Sequence, residues 1–214
     1  YLDKADEILS AGGKLAAMKA DVEGARYPKK VGDLAKLESQ AVEIGAYANV
    51  VVHGLLQTEE YARALYELRR PAYGEEQVER LVSARMARQS VIRQHPAPLL
   101  TVVQEEAVLR RPIGGKMVMR RQLEYLLEVG KLRHVEIQVM PIVVEEHAGL
   151  AGSLQVIRIK DGTTVGHNEV QLVSRLITEP KEVQILDMRY GMIRAQALTP
   201  RQSLTFIEKV LGET

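Results

Sequence analysis

Prolines partition this sequence. An amphipathic stretch from Thr58 to Arg70 stops at Pro71, another from Glu75 to Gln94 stops before Pro96 and Pro98, and two more open at Glu179-Pro180 and Thr199-Pro200. Proline has no N–H and clashes with the preceding turn, so it closes or opens a helix rather than sitting inside one. The helices are therefore short and separate. Further helical periods run from about 29 to 43, through Val31, Leu34, Ala35, Leu37, Glu38 and Val42, and from Lys116 to Val129, with Met119, Leu123, Leu126 and Leu127 inward. Between them lie short runs of strand character: Tyr47 to Val52, Leu99 to Val103, and Val135 to Met140 ahead of Pro141. Leu154 to Ile159 alternates apolar with polar, and Asp161-Gly162 turns the chain into a strand from about Thr163 to Val173. The pattern predicts an α+β fold, a small mostly antiparallel sheet flanked by several helices. Thr58 and Thr199 are the expected N-caps of the helices that follow them.

Composition narrows the function classes. A chain of 214 residues, 46% hydrophobic and 27% charged, can bury one large core or a domain plus a small appendage. Its net charge of +1 supplies no global field toward nucleic acid or anionic membrane, so such contacts need a local patch. With no cysteine there is neither a disulfide nor a thiolate nucleophile, which fits a reducing, cytoplasmic setting. No apolar run approaches the roughly 20 residues that span a bilayer, and no membrane association is expected. Tyr1 stands where a translated chain has Met; Leu2, Ala5, Ile8 and Leu9 mark a short helix ending at Gly12-Gly13.

Enzyme motifs are not found. There is no H-E-x-x-H, no nucleophile elbow around Ser153, and Gly114-Gly115-Lys116 lacks the spacing and hydroxyl of a P-loop. The histidines 53, 95, 134, 147 and 167 are scattered; Glu145-Glu146-His147 with His167 and Glu169 would need to meet across a hairpin to hold a metal, and surface loop residues are the simpler reading. No catalytic residue, metal site or cofactor is assigned, and the chain reads as a non-enzyme. The run Arg110, Arg111, Lys116, Arg120 and Arg121 has no carboxylate among it, yet it lacks the aromatics of a nucleic-acid surface.

Several segments carry a family signature: Gly54-Leu55-Leu56-Gln57-Thr58 with Tyr61-Ala62-Arg63, Arg85 with Arg88-Gln89, Glu106-Ala107-Val108-Leu109-Arg110-Arg111-Pro112 with Gly114-Gly115, Gln122-Leu123, Gln138 to Pro141, His147 to Leu150 with Gly152, and Leu198-Thr199-Pro200 with Ser203. In these the chain resembles, from about Glu38 onward, the large C-terminal domain of unknown function found mainly in actinobacteria behind an Xre-type helix-turn-helix in transcriptional regulators, some described as antitoxin-like. The resemblance implies that residues 1–28 are the end of a helix-turn-helix unit and its linker, and that 29–214 form a regulatory or effector domain. His53 replaces the usual proline, and Val165 to Glu169 lacks the usual aromatic, so no ligand preference carries over there.

The residues themselves point to two sites. On the helix from Glu75, Arg85 and Gln89 fall in the middle of the face made by Val78, Leu81, Val82 and Ile92. Polar groups there either form an internal salt bridge, with Glu59, Glu105 or Glu106 as partner, or line a pocket that reads an anionic or amide-bearing effector. Candidate effector- or partner-binding residues are Gln57, Tyr61, Arg85, Gln89, Glu105 and Arg110. On the helix from Lys181 to Ala197, Val183, Leu186, Tyr190 and Ile193 face one way while Ile185, Met188 and Met192 face the other, a candidate homodimer surface. The expected function is a regulatory domain that dimerises and binds a small-molecule effector or small partner protein, with DNA contacted through the upstream helix-turn-helix. The alternative is an enzyme of unfamiliar type with a polar pocket around Arg85 and Glu105.

Overall fold

A computed structural model describes residues 32–171 and 173–214. The helix expected between Leu2 and Leu9 lies outside the described residues. Among them are seven helices and six strands: α1 (Gly32–Gln40), β1 (Ala41–Ala48), α2 (Glu59–Glu67), α3 (Glu75–Arg88), β2 (Leu99–Glu105), α4 (Glu106–Arg110), α5 (Lys116–Val129), β3 (Val135–Met140), β4 (Leu154–Ile159), β5 (Thr164–Val170), β6 (Val173–Ile177), α6 (Pro180–Gln196) and α7 (Pro200–Glu213). Single 3-10 turns at Gly54–Leu56, Gln89–Arg93 and Ala148–Ala151 join them.

The sheet corrects the sequence expectation. It is neither small nor of one kind: six strands lie in the order β3-β2-β1-β4-β5-β6, with β1, β2 and β3 mutually parallel and the β1-β4, β4-β5 and β5-β6 pairs antiparallel. The parallel half follows from the helices between its strands, because a strand can return parallel only through a long crossover. α2 and α3 lie between β1 and β2, and α4 and α5 between β2 and β3. Two further differences enlarge the sheet. The chain turns back between Val170 and Val173, which pair, although Gln171 and its neighbour offer no Gly, Asn, Asp or Pro. And the helix expected to reach residue 43 gives way at Ala41 to the central strand.

β1 holds the centre because it is thin. Ile44 and Ala46 point to one face, while Gly45 and Tyr47 point to the other. A Cβ on Gly45 would overlap the ring of Tyr190 from α6, whose hydroxyl bonds Thr101 on β2. The first face carries the main core, with Leu100, Val102, Val135, Ile137 and Val139 under Leu55, Leu56, Leu123, Leu126 and Ile207. The second face is covered by α6 through Val183, Leu186, Tyr190 and Ile193. The two expected caps form: Thr58 accepts from the Tyr61 N–H, and Thr199 makes a capping box with Gln202. No described helix is long and apolar enough to cross a membrane.

Candidate functional site

Four glutamine side chains hold the loop that follows β1. Gln104, near the end of β2, donates to the Ala48 carbonyl at 2.9 Å and accepts the His53 N–H at 2.7 Å. Gln57 donates to the Val52 carbonyl at 2.7 Å, Gln122 from α5 donates to Leu56 and accepts from Thr58, and Gln89 donates to the carbonyls of Gln57 and Gly54. An irregular buried backbone has no ladder to satisfy its polar groups, and a primary amide serves both kinds of need because it donates and accepts. Leu55 and Leu56 are thereby held fully buried between polar backbone. This accounts for the Gly-Leu-Leu-Gln signature, which a helix start alone does not require.

Arg85 of α3 lies across that loop. Its Nε and Nη2 donate to the Tyr66 hydroxyl at 3.1 and 2.8 Å, its Nη1 donates to Gln57 Oε1 at 3.1 Å, and the guanidinium stands 5.4 Å from the Tyr66 ring centroid. Gly54 makes room for it: a Cβ there would come within 2.9 Å of Nη1. The salt bridge expected from the sequence does not form. Glu59 pairs with Arg63, Glu105 with Tyr47 and His147, and Glu106 with Arg110 and the Ile142 N–H, so among the described residues no carboxylate neutralises Arg85.

The buried ion pair belongs to the neighbouring Arg88. It grips Glu38 of α1 with two hydrogen bonds of 2.9 and 2.8 Å, and Glu38 also accepts from Gln155 of β4 at 3.2 Å. Burial alone would lower the Arg88 pKa, but the Glu38 carboxylate outweighs it and the net shift is upward. Sequence reasoning missed this pair, although Glu38 stands in the apolar period of α1 and so needed a partner.

Between α1, α3 and the β4–β5 half of the sheet lies a cavity of about 90 Å³. Arg85, Arg88, His53, Gln155, His167 and Glu169 supply its polar wall. His53 Nδ1 is shielded from solvent and has no hydrogen-bond partner. Burial lowers the His53 pKa to about 4 despite the attraction of Glu38, so the ring is neutral at pH 7. His167 is also buried, its pKa lowered by desolvation, with Nε2 2.9 Å from Ser174 Oγ. His53 and the segment around His167, the two places where the sequence departs from the pattern it resembles, both line this cavity.

A second polar cluster occupies the other face. Tyr47 donates to Glu105, His147 Nε2 lies 3.4 Å from the same carboxylate, and burial together with that carboxylate raises the Tyr47 pKa. Gly149 permits the approach, since a Cβ there would overlap the Tyr47 ring.

Of the six candidate binding residues, the structure brings Gln57, Arg85 and Gln89 together and leaves the others apart. Only Arg85 of these lines the cavity; Gln57 and Gln89 clamp the loop. Tyr61 is a core residue whose hydroxyl accepts the Val52 N–H at 3.2 Å. Glu105 belongs to the second cluster and does not meet Arg85. Arg110 is tied to Glu106 and Glu213 over the Phe206 ring. The basic run is largely neutralised by carboxylates from elsewhere, Arg121 by Glu60 and Arg120 by Glu124. Among the described residues no group of three His, Asp or Glu side chains is placed to hold a metal ion. On α6, Ile185, Met188 and Met192 are 44%, 58% and 54% exposed, and the segment carrying exposed Leu150 packs against the same helix.

Comparison with known proteins adds one match: a family model described as a domain of unknown function (DUF5753) covers residues 31–209. No curated protein and no solved structure matches the chain.

Proposed function

The chain belongs to the DUF5753 family, a domain of unknown function, and from that premise we propose that it is the regulatory domain of a helix-turn-helix transcriptional regulator. It dimerises through the exposed side of α6, binds an effector or partner at the cavity, and sets the spacing of the DNA-binding units attached upstream. The observation that carries this reading is the position of the cavity directly beneath α1. That helix is the first described element, and the sequence before it, residues 1–28, resembles the end of a helix-turn-helix unit; its Glu38 is anchored by a cavity-lining arginine. A ligand that competes for Arg88 changes how firmly α1 is held, which is the differential contact that coupling between two sites requires. Two-fold pairing suits the role, since helix-turn-helix units commonly read half-sites about one helical turn apart.

The test is a gel-shift comparison. This chain alone is expected to bind duplex DNA weakly and without sequence preference, because its net charge is +1 and Arg110, Arg120 and Arg121 of its basic run are ion-paired. The same chain joined to a helix-turn-helix unit upstream is expected to bind a specific operator. Sequence-specific, competitor-resistant binding by the 214-residue chain alone would overturn the division of labour.

A further inference from the structure

We propose that the cavity walled by Arg85, Arg88 and His53 is a binding site for a small, singly charged carboxylate. The inference deepens the regulatory reading by naming the chemistry of the effector, and it rests on that reading only for the consequence, not for the binding.

The donors come first. A guanidinium has five N–H groups; Arg85 spends three hydrogen bonds on Tyr66 and Gln57, both uncharged, and so keeps two N–H groups and its whole charge without a protein acceptor among the described residues. Arg88 spends its Nε and Nη2 on Glu38, leaving Nη1. His53 adds a shielded ring nitrogen with nothing to bond. A buried polar atom left unpaired is destabilising, and a ligand that pairs it removes that penalty. Charge-assisted hydrogen bonds from arginine to a planar carboxylate are the strong kind, and the neutral His53 ring can present Nδ1–H to the same group or accept from a ligand hydroxyl.

Charge and size then restrict the ligand. Glu38 neutralises Arg88 and Glu169 stands exposed at the rim, so Arg85 is the guanidinium of the wall left without a carboxylate among the described residues, and a single negative charge seated on it completes the balance. The volume of about 90 Å³ admits roughly six water-sized groups, which accommodates a short acid and excludes a nucleotide or a coenzyme.

Titration of the full 214-residue chain with sodium acetate, followed by the NMR shifts of the His53 and His167 rings, tests the assignment. Sodium chloride at equal ionic strength, inorganic phosphate, and a tripeptide with a free C-terminal carboxylate are run in parallel. The expected result is saturable movement of both rings with acetate at millimolar concentration, at least fivefold weaker response to phosphate, and loss of the acetate response in Arg85→Met. Gly54→Ala is the second variant: it crowds only the flexible end of Arg85, so it is expected to keep the wild-type melting temperature within a few degrees while weakening acetate at least threefold. Equal responses to acetate and chloride, or an undiminished acetate response in both variants, would overturn the site. Tenfold tighter binding of the tripeptide than of acetate would overturn the assignment to a free acid in favour of a protein C-terminus. No DNA enters this assay, so its failure is distinct from failure of the gel shift.

Discussion

Replacing Arg88 with methionine removes one half of a buried ion pair and strands the other. The Glu38 side chain is 1% exposed and that of Arg88 14%, so neither is screened by water as a surface pair would be. In Arg88→Met the Glu38 carboxylate keeps one hydrogen-bond donor among the described residues, Gln155, against three before. Breaking a buried pair in this one-sided way costs about 3–5 kcal/mol. A chain of this size loses about 2–4 °C per kcal/mol, so the midpoint is expected to fall by about 6–20 °C. The sequence has no tryptophan, which makes far-ultraviolet circular dichroism the natural probe of both thermal and urea unfolding. The decisive comparison is the double variant Arg88→Met with Glu38→Leu. If the loss comes from a stranded charge, converting both partners to apolar side chains restores most of it, because such replacements are often close to neutral. A single variant that loses under about 1 kcal/mol, or a double variant as damaged as the single one, would refute the reasoning.

Three further outcomes are expected. Gly45→Ala forces a Cβ into the Tyr190 ring, which Thr101 prevents from swinging away, and is expected to cost about 1–3 kcal/mol in urea melts, whereas Gly191→Ala, with open space around its Cβ, is expected to be neutral or slightly stabilising. His53, with a pKa lowered to about 4, binds fewer protons folded than unfolded between about pH 6.5 and 4; stability is therefore lost as pH falls through that window, by at most about 3 kcal/mol, and His53→Gln is expected to show a shallower acid limb, an unchanged limb counting against the assignment. Light scattering at micromolar concentration is expected to give the mass of a dimer, and Ile185→Glu with Met192→Glu that of a monomer; a wild-type monomer unaffected by the pair removes α6 as an interface.

Much of the architecture could be read because periodicity and proline placement are local. Lys116–Val129, Val135–Met140 and Leu154–Ile159 coincide with observed elements, and the two faces of α6 divide as the projection requires. What escaped was non-local. The direction of β2 and β3 depends on the crossovers between strands, and β1 is a strand paired with β2 and with β4, which lies over a hundred residues away, while Gly45 leaves room for Tyr190 of α6. At the site, the inward position of Arg85 and Gln89 was visible in the helix period. Their partners were not, since Gln57 and Tyr66 reach Arg85 from a loop and a separate helix, and the Glu38–Arg88 pair spans two helices. The cavity wall contributed by His53, Gln155 and His167 exists only once β4 and β5 are laid beside the loop after β1.

The position of β1 between a parallel and an antiparallel neighbour bears on how the chain is assembled during synthesis. β4, β5 and β6 form a meander of short-range pairings and can close soon after they are made. β1 is made first of the six, yet Ile44 cannot meet Val156 or Ile157 until the chain extends that far, and Gly45 cannot receive Tyr190 until α6 follows. For most of translation the central strand is an open edge on the side β4 will cover, the kind of edge that recruits other chains. Its composition suits the wait: Ala41, Gly45, Ala46 and Ala48 have low strand propensity and make it a poor template for stray pairing before its own partners arrive.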